Sequence, residues 1–167
     1  MRRRMSTTRR LCLLLVPLVT FLAVAGVTGA AASPPTSASG TFTYTSSTFN
    51  SVREADGNLI IDLSATVSYT GTFTGTSTVE GTLILHANGS ANFHDVETFT
   101  GTVNGVSGTV TFNLNGRNGP SLDITATDTI ISATGDLAGL HGVLSEVATL
   151  GANGPVGTYS GQIQSGS

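Results

Sequence analysis

The chain has 167 residues and a formal net charge of −3, with one cysteine and no lysine. Five of its seven basic residues lie within the first ten positions, so residues 33–167 hold two arginines against ten acidic residues, a net charge of −8. Such an acidic chain is a poor match for nucleic acid or an anionic membrane surface; a cationic or neutral partner fits better. The one cysteine, Cys12, lies near the N-terminus, which excludes a disulfide framework and a thiol nucleophile in the remainder.

Residues 1–32 have the pattern of a secretory signal peptide: a basic segment, an apolar run at 11–27 and three alanines before Ser33. We therefore predict cleavage before Ser33 and a secreted, extracellular protein. A retained membrane anchor is the alternative, because the apolar run is at the short limit for a membrane span. The pattern does not separate the general secretory route from twin-arginine export. The Pro-, Ser- and Ala-rich residues 33–40 are predicted to be a flexible linker that leads into a β-barrel domain at 41–167.

From residue 41 onward, apolar and polar side chains alternate with a period of two, which is typical of half-buried β-strands. Asn-Gly or Asp-Gly pairs, which favour two-residue hairpin turns, recur at 56–57, 88–89, 104–105, 115–116 and 153–154. Division at these turns predicts eight strands, at 41–49, 58–69, 71–86, 91–103, 106–115, 121–133, 142–150 and 156–164. Since no amphipathic helix of useful length is present, we predict an all-β fold, an antiparallel eight-stranded meander that closes as a barrel or folds as a sandwich.

A glycine-rich motif separates the sixth and seventh predicted strands. Its glycines permit a tight reversal, and its leucines can turn inward and close one end of a barrel. Its acidic residue is predicted to cap local backbone amides. The residues of this structural motif are Gly135, Asp136, Leu137, Gly139, Leu140 and Gly142.

The order of several short motifs resembles a bacterial family of unknown function whose barrel is similar to allene oxide cyclase. The matching segments are 40–42, 73–75, Phe93 with Glu97, 100–102, Gly105 with 107–108, 135–142 and 157–159. The resemblance implies an eight-stranded barrel with a central cavity. It implies no catalytic residue, since those of the plant cyclases have no matching positions in this chain.

Hairpin registers predict where the acidic side chains point. If 88–89 is a two-residue turn, Glu80 lies opposite Glu97 on the neighbouring strand. If 104–105 is another such turn, Glu97 lies opposite Phe112. Because Phe112 belongs to an apolar face, this register would point Glu80, Glu97 and Asp95 into the barrel.

Two consequences follow from this register. His86 is placed near the rim of the barrel. Directly opposed carboxyls in an apolar lumen cannot both ionise cheaply, so one of the Glu80 and Glu97 pair is expected to keep its proton at neutral pH.

A slip by one residue would expose the acids to solvent, and this solvated face is the preferred interpretation. Leu83, Leu85 and Val96 on the opposite face make that slip plausible. Exposed strand carboxylates that keep a sheet soluble are common.

Other kinds of site find little support in the sequence. His86, His94 and His141 lack a metal-like spacing, and by the hairpin registers His86 and His94 face opposite sides, so we predict no metal site. No nucleophile elbow, calcium loop, phosphate loop or dinucleotide fingerprint is present, and we predict no cofactor.

Three functions remain, of which the first is preferred: a secreted barrel that binds a small, mostly apolar ligand in its lumen. The alternatives are a structural or interaction protein of the cell exterior and a cofactor-free isomerase or cyclase of a fatty-acid-like substrate. The oligomeric state is not set by the sequence. The candidate ligand-binding residues are Glu97, Glu80, Asp95, His86, Phe93, Phe99, Phe112, Tyr69 and Tyr159.

Overall fold

The structure, a computed structural model, describes residues 33–166; the predicted signal peptide at 1–32, with Cys12, lies outside the described residues. The described chain forms eight strands. They are β1 (Thr36–Ala55), β2 (Asn58–Gly71), β3 (Phe73–Leu85), β4 (Ala91–Val103), β5 (Val106–Asn118), β6 (Ile124–Gly135), β7 (His141–Gly151) and β8 (Gly154–Gln164). Within residues 33–166, no helix has the length and hydropathy of a membrane-spanning segment.

The strands form a closed antiparallel meander. Each strand pairs with the next along the chain, and β8 pairs with β1 to close the barrel. The predicted all-β eight-stranded meander is confirmed, and it is a barrel rather than a sandwich. Each of these eight strands therefore has a paired neighbour on both sides, with β1 paired to β8 over residues 36–43 and β6 paired to β7 over residues 124–129.

Alternation along each strand separates the core from the surface. On β2, Ala65, Val67 and Tyr69 are buried, whereas the intervening residues are more exposed. Much of the interior is aromatic: Phe73 packs against Phe99 with ring centroids 5.4 Å apart and against Tyr159 at 5.7 Å. Tilted and edge-to-face contacts of this kind add to the stabilisation that comes from burial.

The register of β4 with β5 agrees with the prediction. Val103 pairs with Val106 across the two-residue turn at 104–105, so Glu97 lies opposite Phe112. Asn104 has a φ of 51° and Gly105 a φ of 83°, the left-handed conformations that such a turn requires. The hairpin therefore turns Glu97 into the barrel.

The register of β3 with β4 differs from the prediction by one residue. The connection is a five-residue loop, 86–90, in which the His86 N–H donates to the Ser90 carbonyl at 2.8 Å. The Asn88 side chain accepts a hydrogen bond from the Ser90 N–H at 3.0 Å, which stabilises the longer loop. Glu80 consequently pairs with Val96 and is exposed, so the predicted Glu80 and Glu97 pair is wrong.

Two other predicted turns also differ. No turn forms at 115–116, because β5 continues to Asn118 and Gly116 pairs with Phe93. A side chain at Gly116 would overlap the Phe93 ring, so this glycine makes room for an aromatic neighbour and does not reverse the chain. The last hairpin turns at Ala152 and Asn153, one residue before the predicted position.

The first strand begins earlier than expected. Thr36 pairs with Ile163 of β8, so residues 36–40 of the predicted linker belong to the barrel. Ala38 is buried in the core, which explains why this segment is a strand in spite of its small, polar composition.

The two ends of the barrel differ. At one end the 136–140 turn between β6 and β7 places Leu137 and Leu140 in the hydrophobic core, where they form the leucine plug. Asp136 is exposed, and the Ala138 and Leu140 N–H groups bond to backbone carbonyls rather than to its carboxylate. At the other end the loops surround an opening.

Candidate functional site

The open end of the barrel contains a cavity of about 480 Å³. Its walls are mostly apolar, and they come from inward-facing residues near the ends of several strands. Among the wall residues are Tyr44, Leu63, Leu83, Phe93 and Ile124. The volume falls within the range of roughly 300–1,000 Å³ that is common for small-molecule sites.

Exposed apolar side chains surround the mouth of the cavity. Phe49, Leu122 and Leu150 line it although each is largely exposed, Phe49 to 64%. Leu122 has a φ of 64°, an uncommon conformation for a bulky residue, in the loop that joins β5 to β6. The entrance thus offers an apolar surface to an arriving molecule.

Asp95 brings a carboxyl group to this cavity. It is the one acidic residue among those of the described chain that line the cavity, and it is 4% exposed. Its Oδ1 is buried and has no hydrogen-bond partner among residues 33–166. Gly81, its cross-strand neighbour on β3, leaves the space that the Asp95 carboxyl occupies.

Three further acids are buried deeper in the barrel, where they form the carboxyl layer (Glu97, Asp128 and Glu146). On β4 the order of inward residues from the plug to the mouth is Val103, Phe99, Glu97, Asp95 and Phe93, so this layer separates the aromatic core from the cavity.

Hydrogen bonds satisfy part of the carboxyl layer. The Ser77 hydroxyl donates to Glu97, and the Tyr69 hydroxyl donates to Glu146 at 3.4 Å. Asp128 Oδ1 has no partner among the described residues. Between 33 and 166 the basic side chains are Arg53 and Arg117, both exposed, so neither neutralises these acids.

Burial favours the protonated form of all four acids. It raises the pKa of Asp95 to about 7, helped by the nearby Glu97 and opposed by His94. It raises the pKa of Glu97 to about 7 although Ser77 and Tyr69 stabilise the carboxylate. Lumenal carboxyls without counter-cations should therefore exchange protons near neutral pH.

Asp128 and Glu146 form an interacting pair within the layer. Burial raises the pKa of Asp128 to about 7, and it raises the pKa of Glu146 well above its usual value, with the neighbouring Asp128 as the next cause. Since two close carboxyls cannot both ionise cheaply, the pair holds a proton and Glu146 is its preferred site.

Comparison of the chain with models of known protein families finds a match. A family described as protein of unknown function, DUF3224, matches residues 38–155, which is most of the chain. The chain belongs to the DUF3224 family.

A solved DUF3224 structure has a similar fold. The crystal structure of a DUF3224 protein of unknown function from Shewanella oneidensis aligns with a TM-score of 0.63 and 17% sequence identity, over 78% of this chain and 97% of that one. At that identity the likeness establishes the fold alone. The comparison with curated proteins finds no match. The likeness to allene oxide cyclase stays a prediction.

The DUF3224 barrel brings some of the predicted ligand-binding residues together and separates others. Asp95 and Phe93 line the cavity. Glu97 lies in the carboxyl layer beneath it, 1% exposed. Four of the predicted residues lie in the packed aromatic core on the plug side, namely Phe99, Phe112, Tyr69 and Tyr159.

Glu80 and His86 do not line the cavity of this DUF3224 protein. Glu80 is on the outer surface because of the register difference between β3 and β4. His86, in the loop after β3, makes hydrogen bonds with the side chains of Asn58 and Asn92 at 2.9 Å each. Within residues 33–166, no group of three or more His, Cys, Asp or Glu side chains is arranged to hold a metal ion.

Sequence reasoning missed Asp128 and Glu146. The same period-two alternation that identifies inward residues on the earlier strands also runs through β6 and β7. Asp128 shares a face with Ile124 and Ile130, and Glu146 shares a face with Leu144. Applied to β6 and β7 of the DUF3224 chain, the same pattern places both acids inside.

Proposed function

We propose that this DUF3224 barrel binds a small, mostly apolar molecule in the cavity at its open end. The observation that carries the proposal is a cavity of about 480 Å³ with mostly apolar walls and the Asp95 carboxyl as the one acidic group of the described residues that line it. Sites with apolar walls and a few placed polar groups are the usual form of small-molecule pockets.

Two features of the barrel support ligand entry through the mouth. Phe49, Leu122 and Leu150 give the entrance an apolar rim, and solvent-exposed apolar side chains in a group are common at binding sites. The opposite end is closed by the leucine plug, so a ligand enters and leaves by one route.

The cavity also favours binding over the two alternative functions. An interaction protein that works through its outer surface has no need of an empty, apolar-walled space. An acid–base isomerase would use a carboxyl group in reach of the substrate, and three of the four buried acids lie beneath the cavity rather than along it.

A fluorescence titration with Nile red, a neutral apolar dye, tests the proposal. We expect saturable binding by residues 33–167. Leu83→Trp, which fills space from the cavity wall, should weaken binding by about tenfold or more, since the dye then loses room and contacts.

The matched control is Ile84→Trp, the same new side chain on the outer face of the same strand, where Ile84 is 37% exposed. It should bind the dye like the unmodified protein. Absence of saturable binding would reject the proposal. Equal affinity of the two tryptophan variants would also reject it, because the dye would then bind outside the cavity.

We also propose that the protein acts outside the cell, on the strength of the signal-like pattern of residues 1–32 and the acidic, lysine-free remainder. N-terminal sequencing of protein from the culture medium should begin at Ser33; a cytosolic protein that retains Met1 would contradict it.

A further inference from the structure

We propose that the ligand of the cavity is an amphipathic amine, with an apolar body that fills the cavity and an ammonium group that binds the Asp95 carboxylate. This inference rests on the proposed function and adds the chemical class of the ligand.

Asp95 is an acceptor without a donor. It is 4% exposed, its Oδ1 has no hydrogen-bond partner among residues 33–166, and it lies against the cavity. Unpaired buried polar atoms are rare in folded proteins because each loses hydration without compensation. An ammonium group in the cavity supplies N–H donors and the opposite charge to this carboxylate, which offsets part of that cost.

The charges around the cavity select against an anionic ligand. Glu97 and Asp128 lie close enough to Asp95 for their charges to interact with it. The two arginines of the described chain, Arg53 and Arg117, are exposed and do not line the cavity. A carboxylate ligand such as a fatty acid would enter a negative field with no cation to bind its head group.

The walls suit a cation with an apolar body. Tyr44 and Phe93 present aromatic rings to the same cavity as Asp95. The faces of such rings attract ammonium groups, most strongly where water is excluded. The remaining wall, with Leu63, Leu83 and Ile124, offers apolar contact to the body of the ligand.

Calorimetric titration with three matched probes tests the inference: n-decylamine, n-decanol and n-decanoate, each below its micellisation concentration. They share one apolar chain and differ in head-group charge. We expect decylamine to bind at least about tenfold more tightly than decanol, and decanoate to bind weakest. Decanol binding with no preference for the amine would reject the inference and leave the proposed function standing. If none of the three binds, both are rejected.

Asp95→Asn is the decisive variant, since it keeps the shape and removes the charge. It should reduce the decylamine-to-decanol affinity ratio by about tenfold or more. Asp62→Asn, the same substitution on the outer surface, should leave the ratio unchanged. An equal decylamine-to-decanol affinity ratio in Asp95→Asn and Asp62→Asn would show that Asp95 does not bind the ammonium group.

A measurement on the unmodified protein gives an independent check. Protonation of Asp95 removes its charge, and burial raises its pKa to about 7, so the decylamine-to-decanol ratio should be larger at pH 8 than at pH 5. Glu97 and Asp128 act on Asp95 through their charges within the lumen, and His94 acts on it from the outer face of β4. Burial raises the pKa of Tyr44 well above its usual value, so its hydroxyl stays neutral between pH 5 and pH 8. A ratio that does not change with pH would contradict a charged anchor.

Discussion

Tyr159 connects three strands through one hydroxyl group. The hydroxyl accepts a hydrogen bond from the Phe73 N–H at 2.8 Å and donates one to the Thr70 carbonyl at 3.1 Å. Its side chain is among the most buried in the barrel. The aromatic core therefore has a polar contact at the point where the chain passes from β2 to β3, and the backbone groups there depend on it.

Removal of that hydroxyl should destabilise the barrel. We expect Tyr159→Phe to lower the free energy of unfolding by about 1–3 kcal/mol, because it leaves the Phe73 N–H buried without a partner. Denaturant unfolding measures the change. Ser160→Ala, an exposed hydroxyl on the same strand, should change the free energy by no more than about 0.5 kcal/mol. Equal changes in the free energy of unfolding for the two variants would show that the hydrogen bond to the Phe73 N–H does not stabilise the barrel.

At the scale of single elements, the leucine plug is the part whose contribution to stability a single substitution can measure. Leu137 and Leu140 are each 6% exposed and belong to the core, although they lie in a turn. Leu137→Ala should lower the free energy of unfolding by about 2–5 kcal/mol, the usual cost of a cavity in a core.

The control for the plug is Leu150→Ala at the mouth, where Leu150 is 56% exposed. It removes the same atoms from a site that stays in contact with water, so we expect a change of about 0.5 kcal/mol or less. A loss at Leu137 as small as that at Leu150 would mean that the turn is not part of the core.

The hairpins show which part of the fold the sequence predicts. The pair 104–105 forms the expected two-residue turn, since the strands before and after it supply apolar residues in matching phase. The pair 88–89 lies within a five-residue loop that Asn88 stabilises through its side chain. Local composition identifies both as turns, but the loop length depends on tertiary hydrogen bonds that a short motif does not encode.

At the scale of the whole molecule, closure of the barrel brings together acids that are far apart in sequence. Asp95 and Glu97 come from β4, Asp128 from β6 and Glu146 from β7. Alternation tells which of them face inward, but their common depth is set by the tilt and stagger of eight strands. The lumenal position of Asp95 and Glu97 was therefore predictable, while the carboxyl layer as a unit was not.

The carboxyl layer makes stability depend on pH. Burial raises the pKa values of Glu97 and Asp128 to about 7 and that of Glu146 well above its usual value, so the folded protein keeps protons that the unfolded chain releases near pH 4. Their favourable contribution is complete below about pH 4 and is lost as the pH rises towards and through 7, by up to about 1.4 kcal/mol per pH unit for each group. We expect a higher thermal midpoint at pH 5 than at pH 8.

Glu146→Gln should reduce that difference between pH 5 and pH 8, since it removes a group that keeps its proton in the folded protein and releases it in the unfolded chain. The same substitution at Glu80, which is exposed on the outer surface, should not reduce it. Thermal unfolding of both variants at the two pH values makes the comparison. If the thermal midpoint of Glu146→Gln falls between pH 5 and pH 8 by as much as that of the unmodified barrel, the carboxyl layer does not cause the loss of stability.

The even number of strands has a practical consequence for handling the molecule. In an up-and-down barrel of eight strands, β1 begins and β8 ends at the same end, and Thr36 and Ile163 lie beside the leucine plug. A fusion partner, an affinity tag or a surface linker joined after residue 166 would therefore sit about one strand length away from the mouth. Protein immobilised through that terminus on a biosensor chip should keep its cavity open to the flowing solution, so ligands can be screened without removing the tether.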